Sequence, residues 1–494
     1  MPNDANDLIL VIDEGTTSTR AMLFATDGRC VASEARALDQ KYPRAGWVEH
    51  DAAEIWRKTL RVTAAMVAQA GGAHRIAGIG ITNQRETIVF WDRETGEPLA
   101  PAIVWQDRRT AATCRDLRER SHEAEVQAKT GLLLDPYFSA SKIGWAMRKW
   151  PQLADAGARL AIGTVDSWLI WKLTGGLHVT DATNASRTAL MDVHTGGWDD
   201  ELCALFGVPP AALPEIVDCA GRFGETTAFG AAIPICGIAG DQQAAAIGQA
   251  CLAPGQTKAT FGTGAFILTH AGATPPTSGH RMLSTVAWQL GGQRAYALEG
   301  SVFVAGSLVQ WLRDTLGLIG TAAETEALAR SVPDTGGVYL VPALSGLGAP
   351  WWEPDARASI SGLSFATGKA HVARAALEAM AYQAHDLKTA FAADGIDWHS
   401  LRIDGGMVAN DWMAQDMADL LGIEVERPRF AETTALGAAM LAGVGAGLFG
   451  GLEEATSMRG EVETFTPSLG EDERQARLAG WKAAVDAVVA GSKR

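Results

Sequence analysis

Val11-Ile12-Asp13-Glu14-Gly15-Thr16-Thr17-Ser18-Thr19-Arg20 decides the reading of this chain. An apolar strand ends in a carboxylate, turns at a glycine and runs into a row of hydroxyls and an arginine. Gly15 permits a tight turn and close backbone approach. Thr16, Thr17 and Ser18 add hydroxyl donors, and Arg20 adds a fixed cationic fork. A second turn of this kind stands at Phe261-Gly262-Thr263-Gly264-Ala265-Phe266. Either turn alone also fits an ordinary hairpin. Two in one chain point to phosphate, because such turns present backbone N–H groups and hydroxyls to phosphate oxygens. Neither is a Walker loop, since no Gly-x-x-x-x-Gly-Lys-Ser/Thr occurs.

Two isolated carboxylates complete the pattern. Asp13 ends the first strand. Asp241 follows the glycine-lined stretch Gly237-Ile238-Ala239-Gly240 and is delivered into a polar pocket. Carboxylates so placed can hold magnesium and accept a proton, which is what phosphoryl transfer asks of a protein. No His-Glu-x-x-His and no Cys/His cluster of zinc spacing occurs.

Outward from these turns, strand-like runs alternate with helical periodicity, the mark of an α/β protein. Strands are expected at 8–12, 20–26, 76–82 and 88–92, with a helix over 53–69 and others over 110–120 and 141–149. After Asp241 the pattern restarts. Strands are expected at 257–261, 265–269, 294–298, 338–341 and 401–404. Helices are expected over 303–316, 371–393 and 410–421. Each half thus opens with a phosphate-type hairpin, and the weak duplication predicts two like domains facing each other across a cleft. The expected domains are 1–250 and 251–494, divided near Ala250–Pro254.

The 494 residues exceed the size at which a single core stops growing, roughly 250–300 residues. With 47% hydrophobic and 20% charged residues, general disorder is excluded. A net charge of -15 argues against nucleic acid and anionic membranes as partners. It does not argue against a nucleotide, because local cations outweigh distant charge across a Debye length of about 8 Å. The six cysteines are scattered, as expected of reduced thiols in a cytoplasmic protein. Met1–Asp7 is polar and acidic, unlike a secretory signal. Residues 433–452 carry no charge but hold six glycines and many alanines. They read as a tightly packed core helix, not a membrane span.

An acceptor pocket is suggested by Asn83-Gln84-Arg85-Glu86, directly after a buried strand, where α/β folds bind ligands. Adjacent Arg85 and Glu86 offer donors and an acceptor. That suits a polyol, whose hydroxyls both donate and accept. The alternative is a surface salt bridge on a loop. Trp105, Tyr137 and Phe266 could pack the C–H side of a small polyol or belong to the core. Asp404-Gly405-Gly406 before a helix leaves room for a flat ring beside the backbone.

These pieces resemble the glycerol-phosphorylating branch of the FGGY carbohydrate kinase family. The resemblance rests on 13–20, Gly80-Ile81-Thr82-Asn83-Gln84-Arg85-Glu86, Val104-Trp105-Gln106, Asp135-Pro136-Tyr137-Phe138-Ser139, Gly240-Asp241-Gln242-Gln243, Gly262-Thr263-Gly264 and Asp404-Gly405-Gly406. Further matches are Thr183-Asn184-Ala185-Ser186-Arg187-Thr188 and Gly346-Leu347-Gly348-Ala349-Pro350. The likeness spans about residues 8–481. It implies an α/β fold of two actin-like (ribonuclease H-like) domains, with ATP/ADP, Mg2+ and glycerol meeting in the cleft. By the same resemblance, Arg85, Glu86, Tyr137, Asp241 and Gln242 bind glycerol, with Trp105 and Phe266 against its carbon chain. Thr16, Thr17, Ser18, Arg20, Thr263, Gly306, Gln310, Gly406 and Asn410 bind the nucleotide. Asp13 and Asp241 lie near the metal, and Asp241 is the base. A cytoplasmic homodimer or homotetramer acting in glycerol catabolism is also implied. Two other readings stay open: a kinase of another small polyol or triose, and a non-kinase actin-like ATPase.

Three departures from the family pattern stand out. Glu14 occupies a position where relatives carry Gln, and a carboxylate there must face away from the polyphosphate or join the metal shell. Asp107 stands where some relatives have Cys. The stretch 224–233 has no Lys or Arg, whereas relatives inhibited by fructose 1,6-bisphosphate use a longer basic loop. Nor does it hold a His for activation by histidine phosphorylation.

Overall fold

The computed structural model describes residues 7–492. All of the polar opening Met1–Asp7 except Asp7 lies outside the described residues. Strand Leu8–Glu14 pairs antiparallel with Ser18–Ala25, which pairs with Cys30–Ala37. On its other side Leu8–Glu14 runs parallel to Ile76–Asn83, then comes parallel Ile233–Gly240 and antiparallel Ala220–Thr226. These six strands form one sheet. The second sheet repeats the succession. Gln256–Phe261 pairs antiparallel with Ala265–Gly272, which pairs with Gln293–Val302. Parallel Ser400–Asp404 and Val425–Pro428 follow, and Val462–Phe465 closes the edge antiparallel. Strand Leu283–Leu290 is added outside Gln293–Val302 to make seven. The internal duplication expected from the sequence is therefore a repeated sheet order.

Parallel neighbours need a crossover, and a helix supplies it in each half. Ala52–Gln69 leads into Ile76–Asn83, its first turn capped by Asp51, whose carboxylate accepts from the Ala53 N–H at 2.9 Å. Ile55, Val62, Met66 and Val67 form its buried face. Lys369–Ala393 leads likewise into Ser400–Asp404.

The uncharged helix Thr433–Gly445 is buried on nearly every face. It packs on the first sheet and on helix Asp241–Gly248. Glycines allow this closeness. A Cβ on Gly80 would come within 2.3 Å of the Ala438 carbonyl oxygen, and one on Gly437 within 1.8 Å of the Ala244 oxygen. Among the described residues no helix is long and apolar enough to cross a membrane. We retain 1–250 and 251–494 as the proposed division, with this helix crossing back onto the first half.

Register sets the site. Glu14, Asn83 and Gly240 stand side by side across three parallel strands. Asp13, Arg85 and Asp241 therefore reach the same sheet edge. In the second sheet Thr260 pairs with Asp404, which brings Phe261 beside Gly405.

Candidate active site

Asp241 opens helix Asp241–Gly248, and its Oδ1 accepts the Gln242 N–H at 2.7 Å. Arg85 Nε lies 3.2 Å from the same oxygen. Burial raises the Asp241 pKa above its ordinary 3.8, against the pull of Arg85 and Lys258. Asp13 is pushed up to about 6, chiefly by burial, with Arg20 opposing and Asp241 adding repulsion. Two carboxylates that repel each other at a cleft edge form a fitting seat for a hard dication. Magnesium commonly takes one or two carboxylates, waters and substrate phosphates. No cluster of three or more metal-ligating side chains exists among the described residues.

Arg85 and Glu86 are buried, not a surface salt bridge. Arg85 forms a fork on Glu299, with Nη1 to Oε2 at 2.6 Å and Nη2 to Oε1 at 3.3 Å. Arg187 donates from Nη2 to Glu299 Oε1 at 2.9 Å and from Nε to Glu86 Oε1 at 2.6 Å. Glu86 holds φ at 62°, a conformation costly for a non-glycine residue, roughly 1–3 kcal/mol. Ser139 Oγ donates to the Glu86 carbonyl at 3.1 Å and helps to hold it. Burial raises the Glu86 pKa, while Arg187 and Arg85 oppose. The two arginines draw Glu299 down to about 2 against its own burial.

Aromatic rings close one wall. Trp105 meets Tyr137 edge-on with centroids 5.6 Å apart and Phe266 at 6.4 Å. Trp105 Nε1 donates to Thr16 Oγ1 at 2.9 Å, so the first phosphate-type turn and this wall share a bond. The Trp105 loop is braced by Asp107, which is fully buried, accepts the Val48 N–H at 2.6 Å and pairs with Arg109 at 2.8 Å. Asp107 thus acts behind the pocket.

Lys258, from strand Gln256–Phe261, is buried and donates to Gln242 Oε1 and, at 2.7 Å, to Thr260 Oγ1. Burial lowers its pKa while Asp404 and Asp241 support its charge. Arg20 is engaged by Glu432 and lies 3.9 Å from Asp13. Thr17 is exposed at the turn and Ser18 half-buried.

A second group assembles around the Gly262-Thr263-Gly264 turn. The Gly306 N–H donates to the Gly262 carbonyl at 2.8 Å, and the Ser307 N–H to that of Thr263 at 3.1 Å. Helix Gly306–Asp314 starts there, three residues later than expected, and leaves Gln310 exposed. Gly405, at φ 96°, lies so close that a Cβ would come within 2.4 Å of the Phe261 oxygen. A Cβ on Gly406 would meet nothing within 4 Å. Asn410 caps helix Asp411–Leu421: its Oδ1 accepts the Met413 N–H at 2.9 Å and its Nδ2 donates to Thr325 at 3.3 Å.

The FGGY family of carbohydrate kinases matches in both halves, its N-terminal domain over residues 8–248 and its C-terminal domain over 257–446. The chain belongs to the FGGY family of carbohydrate kinases. Glycerol kinase of Alcanivorax borkumensis is 54% identical over 98% of this FGGY chain and 99% of its own. Glycerol kinase of Rhodospirillum rubrum is 55% identical over 97% and 98%. Among solved structures, Plasmodium falciparum glycerol kinase with ADP superposes with a TM-score of 0.92 at 36% identity, covering 97% of this chain and 98% of its own.

Within this FGGY site, Glu299, Arg187 and Lys258 were given no role by the sequence. For Glu299 the signal was a charge directly after the apolar run 295–298, and for Lys258 a lone cation in a strand that leads into a Gly-Thr turn. For Arg187 it was a quoted motif with no assigned chemistry.

Proposed function

We propose that this FGGY kinase transfers the γ-phosphoryl group of ATP to glycerol, giving sn-glycerol 3-phosphate. The observation that carries the reading is one cluster of side chains, which we read as the acceptor pocket. Arg85, Glu86, Asp241 and Gln242 form its polar edge, and Trp105, Tyr137 and Phe266 its apolar wall. Its relatives named glycerol kinase support the choice of acceptor. Arg85 donates to glycerol hydroxyls and Glu86 accepts from them. Gln242 presents its amide nitrogen because Lys258 holds its oxygen.

Asp241 accepts the proton of the attacking hydroxyl. A carboxylate suffices because in a loose transition state that proton leaves late. Its raised pKa improves it as a base. The Thr16–Ser18 and Gly262–Gly264 turns receive the polyphosphate, with Gly306, Gln310, Gly406 and Asn410 toward the nucleoside. Arg20, already paired, steadies Asp13 more than it meets phosphate. Asp13 and Asp241 would hold magnesium, which when bound neutralises charge on the phosphoryl oxygens. Closure of the two halves excludes water and suppresses ATP hydrolysis. We place the enzyme in the cytoplasm. A homodimer or homotetramer is the proposed assembly, resting on family resemblance alone.

A coupled assay of ADP release over a panel of polyols tests the reading. Glycerol is expected to give the highest kcat/KM. A longer sugar would leave buried polar groups unpaired, losing roughly 10-fold or more. A higher value for xylulose or erythritol would overturn the acceptor, and ADP release indifferent to every polyol would favour the non-kinase ATPase.

A further inference from the structure

Five buried or half-buried charges run in one line: Asp241, Arg85, Glu299, Arg187 and Glu86. Four of them stand on the first half of the chain. Glu299 alone comes from the second half, from strand Gln293–Val302. Its neighbourhood is firmly docked. Ser186 Oγ lies 2.9 Å from Thr285 Oγ1, and Gln243 Nε2 donates to Thr285 Oγ1 at 3.2 Å and to the Val286 carbonyl at 3.1 Å.

We propose that Glu299, bridging Arg85 and Arg187 from the opposite half, is the positioning residue that seats the acceptor pair Arg85–Glu86. This deepens the proposed function and rests on it.

The geometry leaves few other ways to hold the pair. Arg85 reaches Asp241 through Nε, while both terminal nitrogens are turned to the Glu299 carboxylate. That fork fixes the guanidinium plane, and with it the edge offered to a hydroxyl. On the other side, Arg187 spends Nη2 on Glu299 and Nε on Glu86. Its guanidinium lies 5.4 Å from the Tyr137 ring centroid and 5.3 Å from that of Phe138. Glu86, with its positive φ, needs this partner to stay in place. One carboxylate thus sets both acceptor-binding residues. Without it, two buried guanidiniums would repel each other, and of the two carboxylates that Arg85 pairs with directly Asp241 would remain, with the charge of Glu86 also acting on it. Arg85 would then be drawn onto the base and away from the acceptor.

Glu299→Gln is the test, with the second variant Arg187→Lys, whose ammonium is a point charge unable to bridge two carboxylates as a fork does. Wild-type turnover of glycerol is measured first, and its absence overturns the proposed function itself. In folded Glu299→Gln, kcat/KM for glycerol is expected to fall about 10²-fold, the scale of misplacing a reactant by an ångström. The KM for ATP, bound at the other end of the cleft, should stay within about twofold, a difference under 0.5 kcal/mol. Arg187→Lys should show the same split. A role confined to gluing the halves together would lower the melting temperature and leave the glycerol kcat/KM of folded molecules unchanged. A glycerol kcat/KM within about twofold of wild type, equivalent to under 0.5 kcal/mol, overturns the proposal. Arg187→Lys decides by this measure if Glu299→Gln does not fold.

Discussion

Replacing Glu14 by Gln should stabilise the protein, and more so as pH rises. Glu14 alternates with Asp13 along strand Leu8–Glu14, so its side chain leaves the opposite face of the sheet from the site. It is fully buried against helix Ala52–Gln69, where Thr59 Oγ1 donates to its Oε2 at 2.9 Å. Its Oε1 has no partner. Burial pushes its pKa from the ordinary 4.5 to about 8, only partly opposed by Thr19 and Thr59. The sign follows from linkage. Below pH 4.5 the acid is neutral in both folded and unfolded chains, and nothing is lost. Between 4.5 and about 8 the unfolded chain gives up the proton while the folded chain keeps it, so stability falls with rising pH. Each unit is worth about 1.4 kcal/mol, which amounts to about 3 kcal/mol at pH 7. Gln has the same shape and never ionises, so Glu14→Gln removes that loss. Urea midpoints of wild type and variant should coincide near pH 4.5 and separate steadily toward pH 8. A constant gap across that range, or a less stable variant at pH 8, would refute the burial argument.

Asp241→Asn should lower kcat at least roughly 10²-fold, with glycerol binding weakened less, because Asn keeps an accepting oxygen. Retention of most turnover in steady-state assays would remove Asp241 from the role of base. Fructose 1,6-bisphosphate at millimolar concentration should leave the initial rate unchanged at saturating ATP. An anion of that charge needs clustered cations, and strand Ala220–Thr226 carries one arginine, Arg222, which lines a cavity of 250 Å³ with His74 and mostly apolar neighbours. Inhibition that persists at raised glycerol would reveal a cationic site elsewhere on the molecule.

What the sequence disclosed was whatever depends on neighbours along the chain. Both Gly-Thr turns, their flanking strands and the polar ends of parallel strands follow from local period and turn chemistry. The doubled sheet order follows from the doubled hairpin. What stayed hidden depends on distant partners. The strand expected at 294–298 stops before Glu299 because a charge breaks an apolar run. In the fold it continues to Val302, because Arg85 and Arg187, 214 and 112 residues away, neutralise that charge. Asn410 matched a nucleotide position by resemblance, yet its oxygen is taken by a helix N-terminus. An Asn before a helix is a cap by local rules, and those rules hold here. Helix Thr433–Gly445 is apolar all round and so carries no polar face to say which sheet it covers. Glycines of the sheet, not the hydrophobic pattern of the helix, select its place, since Gly80 and Gly237 of the first sheet let its backbone come close at Ala438 and Ala442. That contact fixes helix Asp241–Gly248 from behind. The placement of the proposed base therefore rests on a segment nearly 200 residues later, a dependence that no local reading of Asp241 could contain.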